Sequence, residues 1–180
     1  MKKLFNVVLC IMMIFSLTGC KDTASMAVEE YLSKYNSLHD DVISDMNAII
    51  ESENLSEENR TTYESIFKKQ YTDLTYEITE EEYDGDEAIV KAKIKVYDLY
   101  KVQNDASVYL ANNQSKFNDE NGKYDVEKFI KYKLEQMKNT VDTVEYTIDF
   151  YLVKTSQGWV VSSLSRTDLE KIHGIYNYES

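Results

Sequence analysis

The chain has 180 residues, with 32 acidic and 20 basic side chains and a formal charge of −12. That balance excludes a nucleic-acid partner, whose capture depends on cations neutralising phosphate, and it excludes adsorption on an anionic bilayer by charge alone. Two histidines, His39 and His173, and two cysteines offer little for transition-metal ligation, so no cofactor is expected.

Lys2 and Lys3 open the chain with positive charge, and Leu4 to Leu17 is a largely apolar run of 14 residues. A run that short falls below the roughly 20 residues a bilayer-spanning helix needs, and reads as the apolar part of an export signal. Leu17-Thr18-Gly19-Cys20 closes it and resembles the lipobox of bacterial lipoproteins. The resemblance implies cleavage before Cys20, a diacylglycerol thioether on the Cys20 sulfur and acylation of the new amino group. Residues 1–19 are then a signal peptide, 20–25 a lipidated polar tether, and 26–180 one folded domain. Loss of Lys2 and Lys3 takes the charge of the remaining 161 residues to −14. Cys10 leaves with the signal and Cys20 is acylated, so no thiol remains for a disulfide, a zinc site or a nucleophile. Attachment to the membrane must come from the acyl chains, at about 0.8 kcal/mol per buried CH₂.

From Ser25 to Glu51, Val28, Tyr31, Leu32, Tyr35, Leu38, Val42, Met46 and Ile49 recur at steps of three and four, the stripe of one amphipathic helix. Ser56 caps a second helix with Glu57 and Glu58 in its first turn and Tyr63, Ile66, Phe67 and Tyr71 on its buried side. The period then becomes two. Leu74, Tyr76 and Ile78 alternate with polar residues, as do Val90, Ala92, Ile94 and Val96 with lysines, which predicts a hairpin. A three-residue loop Tyr83-Asp84-Gly85 sets Ile78 opposite Val90 and Glu77 opposite Lys91. A two-residue turn at Asp84-Gly85 is rejected because it would set apolar against charged positions.

Residues 99–140 read as a helical insertion, with a helix over Asp105–Phe117, a polar loop over Asn118–Tyr124, and a helix capped by Asp125 with the stripe Val126, Phe129, Ile130, Leu134 and Met137. A second hairpin follows: Val144 to Leu152 alternates, Ser156-Gln157-Gly158 turns, and Trp159 to Leu164 returns. Thr167-x-x-Glu170 reads as a capping box opening a short helix that Gly174 stops. No linker divides the chain after the signal. The pattern predicts an α+β fold in which N-terminal helices pack on a curved antiparallel sheet, with a helical insertion between two hairpins.

Three stretches carry a family resemblance: Leu17-Thr18-Gly19-Cys20, the helix opening Val28-Glu29-Glu30-Tyr31-Leu32, and the ending from Phe150 through Gly158-Trp159-Val160-Val161. With them the chain resembles the cystatin-like, NTF2-like lipoproteins of Gram-positive bacteria, a family composed mostly of uncharacterised envelope proteins. The resemblance implies residence at the extracytoplasmic face of the cell membrane and little about activity.

Glu80 to Glu87 holds six carboxylates, but without calcium-loop spacing it reads as a solvated turn; Asn118 to Gly122 likewise lacks acidic residues at the first and twelfth positions of an EF-hand. His173, in a C-terminal turn, suits a helix end as a cation. In the second hairpin the three-residue turn pairs Thr155 with Trp159, so Tyr151, Val153, Trp159 and Val161 share one face. Either the helices of 99–140 cover that face, or it is a groove for a glycan, peptide or second subunit with Tyr151 and Trp159 as anchors. The expected function is a non-catalytic binding or interaction module of the envelope. The alternative is a small enzyme using Asp149 beside Tyr151, which requires a carboxylate raised in a dry pocket.

Overall fold

The computed structural model describes residues 23–179. The segment expected to be a signal peptide, Cys20 and the first residues of the expected tether lie outside the described residues. The elements are α1 (Ala24–Asn36), α2 (Asp40–Ser52), α3 (Glu57–Thr72), β1 (Thr75–Asp84), β2 (Glu87–Tyr97), α4 (Leu99–Asn112), a 3₁₀ turn (Gln114–Phe117), α5 (Val126–Asn139), β3 (Thr143–Thr155), β4 (Gly158–Val161) and α6 (Arg166–His173). The four strands form one antiparallel sheet in sequential order. The α+β class, the two hairpins and the helical insertion between them are as expected from the sequence.

The core lies between one sheet face and the helices. Alternation on β2 and β3 brings Val90, Ala92 and Ile94 together with Ile148, Phe150 and Leu152. Val28 and Leu32 of α1, and Ile66, Phe67 and Tyr71 of α3, close over them, all nearly or fully buried. Lys93, Lys95, Glu145, Thr147 and Asp149 occupy the opposite face and are exposed.

The single N-terminal helix expected from the stripe is two helices. Leu38, with φ 51°, ends α1 in the left-handed conformation; the amides of Leu38 and His39 donate to the Tyr35 and Lys34 carbonyls, a Schellman closure. A leucine at a position that favours glycine conceals the break. His39 then caps α2, its Nδ1 accepting from the Asp41 amide at 3.4 Å. The apolar stripe survives the interruption at Val42 and Met46, which are buried, but Ile50 is buried in the place expected of Ile49, which is half-buried.

Hairpin registers also differ from expectation. In the first, Asp84 pairs with Glu87 around a two-residue turn at Gly85-Asp86. A bulge at Thr79 inserts one residue, so that Ile78 pairs with Ala92 and Glu80 with Lys91. The bulge restores the apolar alternation that a two-residue turn would otherwise lose. The insertion differs at its start: α4 begins at Leu99 because Asp98 caps it, Oδ1 accepting from the Lys101 amide at 2.9 Å. Asp125 caps α5 through the Glu127 and Lys128 amides as expected. Ser56 stands at the α3 N-cap, yet its hydroxyl donates to Glu127 of α5, which also accepts from Asn59. This joins the two helix starts. The last helix opens at Ser165, whose hydroxyl accepts from the Asp168 amide, two residues before the expected capping box at Thr167. Gly174 stops it as expected, with φ 70°.

Candidate functional site

Tyr151 and Trp159 lie on opposite faces of the sheet, which corrects the shared face expected from the sequence. The turn contains two residues, Ser156 and Gln157, not three. Thr155 fixes it: Thr155 Oγ1 accepts from the Gln157 amide at 3.2 Å and donates to the Gly158 carbonyl at 2.9 Å. Thr155 therefore pairs with Gly158, and Trp159 with Lys154. Strand periodicity is two, so a shift of one residue reverses every side chain. Trp159 turns to the core face, where it is 8% exposed and packs on Tyr83 with ring centroids 5.3 Å apart.

Tyr151 remains outside, 58% exposed, beside Val153 and Val160. The helices of 99–140 do not cover this face; α4 and α5 pack on each other, and α5 packs on α3. Asp149 sits on the same open face opposite Lys91, so the dry surroundings that acid–base chemistry at Asp149 requires are not present there. Tyr151→Ser is expected to leave folding stability within about 0.5 kcal/mol, whereas Trp159→Phe costs about 1 kcal/mol. Denaturant titration of the two variants checks the reversal of faces.

A cavity expectation absent from the sequence arises at the other end of the sheet, where α3, the end of β2 and the end of α5 converge. Two depressions flank Asn139 and Thr140. The first, of about 310 Å³, has a floor of buried Ile66, Leu99 and Met137 and a rim that includes Lys69, Tyr97 and Lys138. The second, of about 440 Å³, is walled by Tyr109, Tyr132, Lys101, Asp105, Gln136 and Asp142. Tyr109 and Tyr132 stack at 5.1 Å with rings 22° apart. Lys101 bridges to Asp142 at 3.0 Å and to Asp105 at 3.3 Å.

Lys69 is the most organised side chain of the first depression. Its ammonium lies 3.5 Å from the centre of the Tyr97 ring and 2.9 Å from Asp73 Oδ2, and it is hydrogen-bonded to the Tyr97 hydroxyl. Tyr97 in turn donates to Asp73 at 2.8 Å. Partial burial works against the Lys69 charge, but the bonds to Tyr97 and Asp73 outweigh it and hold its pKa above the ordinary value. The bonds from Lys69 and Tyr97 hold the Asp73 carboxyl below its ordinary range. Among the described residues Lys138 has no carboxylate partner within ion-pair distance. With Lys69 paired to Asp73, the apolar floor beside the Lys138 ammonium is complementary to a small ligand that joins an anionic group to an apolar body. No motif marks this groove, because its residues come from separate helices and a strand end. The one available signal was the pair of tyrosines at 109 and 132 on amphipathic helices.

His173 belongs to neither depression. It is buried against Tyr71, whose hydroxyl lies 2.9 Å from Nδ1, and burial lowers its pKa to about 4. The cation expected at this helix end is thus a neutral imidazole inside the core. The Glu80–Glu87 hairpin and the Asn118–Tyr124 turn hold no metal-ligating cluster; among the described residues no group of three or more His, Cys, Asp or Glu side chains is placed to hold a metal ion. Among the same residues no helix is long and apolar enough to cross a membrane.

No protein-family model and no curated protein matches the chain. Among solved structures it is similar to the putative lipoprotein ycdA of Bacillus subtilis, at 16% identity and a TM-score of 0.45. The similarity covers 79% of this chain and 47% of that protein, so the chain spans less than half of the length of the relative it matches.

Proposed function

We propose that this chain is a membrane-anchored extracytoplasmic lipoprotein whose folded part, an NTF2-like or cystatin-like domain, binds an envelope partner without transforming it. The observation that carries the reading is Leu17-Thr18-Gly19-Cys20 at the end of a short apolar run, three residues before the cap of α1. Acylation there supplies the membrane affinity that a net acidic surface cannot. The two-lobed groove beside Asn139 and Thr140 supports the binding role, since it joins stacked tyrosines, an apolar floor and the Lys138 ammonium in an open surface. Its chemistry suits a peptide or glycan fragment bearing a carboxylate.

Cys20→Ala is expected to move the protein from the membrane fraction into the soluble fraction, with loss of the acyl mass. Retention of Cys20→Ala in the membrane rejects the lipoprotein assignment. For the groove, carboxylate-bearing envelope peptides and glycan fragments are titrated against the purified folded part and followed by NMR. Shifts are expected to gather at Ile66, Leu99 and Met137 and to weaken in Lys138→Glu. Shifts that ignore Lys138→Glu, or that gather elsewhere, reject the groove.

A further inference from the structure

The first turn of α1 is bound to the sheet rather than to solvent. The Ala24 amide donates to the Tyr83 hydroxyl at 3.0 Å, and the Ser25 amide donates to Glu81 Oε1 at 2.9 Å. The Tyr83 hydroxyl donates to the same carboxylate. Thr23 Oγ1 accepts from the Met26 amide at 3.2 Å, so three of the helix-start donors are engaged, two of them by β1. Ala24 is fully buried. The expected tether is therefore already helix at Ala24, and the body has no free joint there.

Both hairpin tips lie at this same end. The Lys154 amide donates to the Asp86 carbonyl at 2.7 Å, which joins the Gly85-Asp86 tip to β3, and Trp159 beside the Ser156-Gln157 tip packs on Tyr83. The groove lies at the opposite end of these strands. Tyr97, its rim residue, is the last residue of β2 and pairs with Thr143, the first of β3; the Asp98 amide donates to the Asp142 carbonyl at 3.0 Å. β2 has 11 residues, and at about 3.3 Å per residue the two ends are about 35 Å apart. From Cys20 to Thr23 the chain reaches at most about 10 Å.

We propose that acylation at Cys20 presents the hairpin end to the bilayer and holds the groove on the side facing away from it. This rests on the lipoprotein reading. Tyr151, Val153 and Val160, on the uncovered sheet face within a few residues of the tips, form the apolar margin that meets the lipid interface; tyrosine suits that zone through its apolar ring and polar hydroxyl. The carboxylates of Glu80 to Glu87 keep the tips from sinking into an anionic surface, so the short tether and the Glu81–Tyr83 clamp set the orientation, and contact weakens as the fraction of anionic lipid rises.

The test uses the full acylated protein in phosphatidylcholine vesicles that carry a headgroup nitroxide quencher. Acylation of Cys20 leaves no other thiol, so Gln157→Cys and Val141→Cys each introduce one labelling site, at the tip and beside the groove. Val141 is 83% exposed and Gln157 is exposed, so both accept a fluorophore without core disturbance. Quenching is expected to be several-fold stronger at position 157 than at 141, and the ratio is expected to fall toward one when Glu81→Gln and Tyr83→Phe are combined. Where either labelled variant does not fold, Ser156→Cys at the tip or Asn139→Cys beside the groove, both exposed, takes its place with the same expected and overturning results. Equal quenching at both positions in protein of confirmed acyl mass overturns the orientation and leaves the lipoprotein reading intact. Protein without acyl chains overturns both. A dimer in sedimentation that covers Tyr151 and abolishes quenching at 157 assigns the open face to a second copy and overturns the proposal as well.

Discussion

Gly174→Ala is expected to destabilise the fold by about 3–8 kcal/mol, read as a lower denaturant midpoint at unchanged slope. Three effects add. Gly174 ends α6 with φ 70°, where a residue bearing a Cβ costs about 1–2 kcal/mol. A Cβ at that point falls inside van der Waals contact of the Tyr97 carbonyl oxygen and the Gln70 amide nitrogen, and relieving such overpacking costs about 1–3 kcal/mol. The displaced Gln70 is fully buried and joins three elements: its Oε1 accepts from the Tyr97 amide at 2.9 Å, while its Nε2 donates to the Tyr97 and Ile172 carbonyls. Leaving those groups unpaired costs about 1–3 kcal/mol more. Gly85→Ala is the control. Gly85 has φ 62° and open space around its missing side chain, so only the conformational cost of about 1–2 kcal/mol remains. Equal losses at the two positions would reject the packing argument.

Acid is expected to loosen the protein well above the range in which its carboxylates protonate. His173 is buried, packed edge-on to Phe67 and hydrogen-bonded to Tyr71, and burial lowers its pKa from 6.5 to about 4. Between these values the unfolded chain binds a proton that the folded chain refuses. Stability from this group is therefore complete above pH 6.5, falls as pH drops through the window, and levels off below about pH 4; the total is about 3 kcal/mol. Paired carboxylates such as Asp73, with pKa held below the ordinary value, lose their contribution only at lower pH. His173→Gln removes the titration while keeping a polar group beside Tyr71. The stability difference between the native chain and His173→Gln is expected to shift by about 3 kcal/mol between pH 7 and pH 4; a constant difference would show that His173 does not titrate in that window.

The fold class was legible in the amino-acid order because it depends on local period. Val90, Ala92, Ile94 and Val96 alternate, Val28, Leu32 and Tyr35 recur at helical steps, and each set is buried where that period places it. Asp125 and Gly174 acted as helix boundaries because a cap needs only a side chain, or freedom at φ, within the same turn. Register was less legible. The Thr79 bulge and the two-residue turn held by Thr155 each move pairing by one position, and one position is enough to carry Trp159 from the outer face to the core. The Leu38 break was hidden because a leucine occupies a position that usually signals itself by glycine.

The order of residues by itself determined the short apolar run that precedes Cys20, the acidic charge, the two hairpins and the helices around them, since each follows from composition or from spacing along a few turns of chain. Only the tertiary structure decided where chemistry collects. The groove beside Asn139 and Thr140 joins Ile66 of α3, Leu99 of α4 and Met137 of α5, and the clamp on α1 joins Ala24 to Tyr83, 59 positions away. Such contacts arise from burying apolar area between distant segments. That force has no direction along the chain, so no local pattern records which surfaces it brings together.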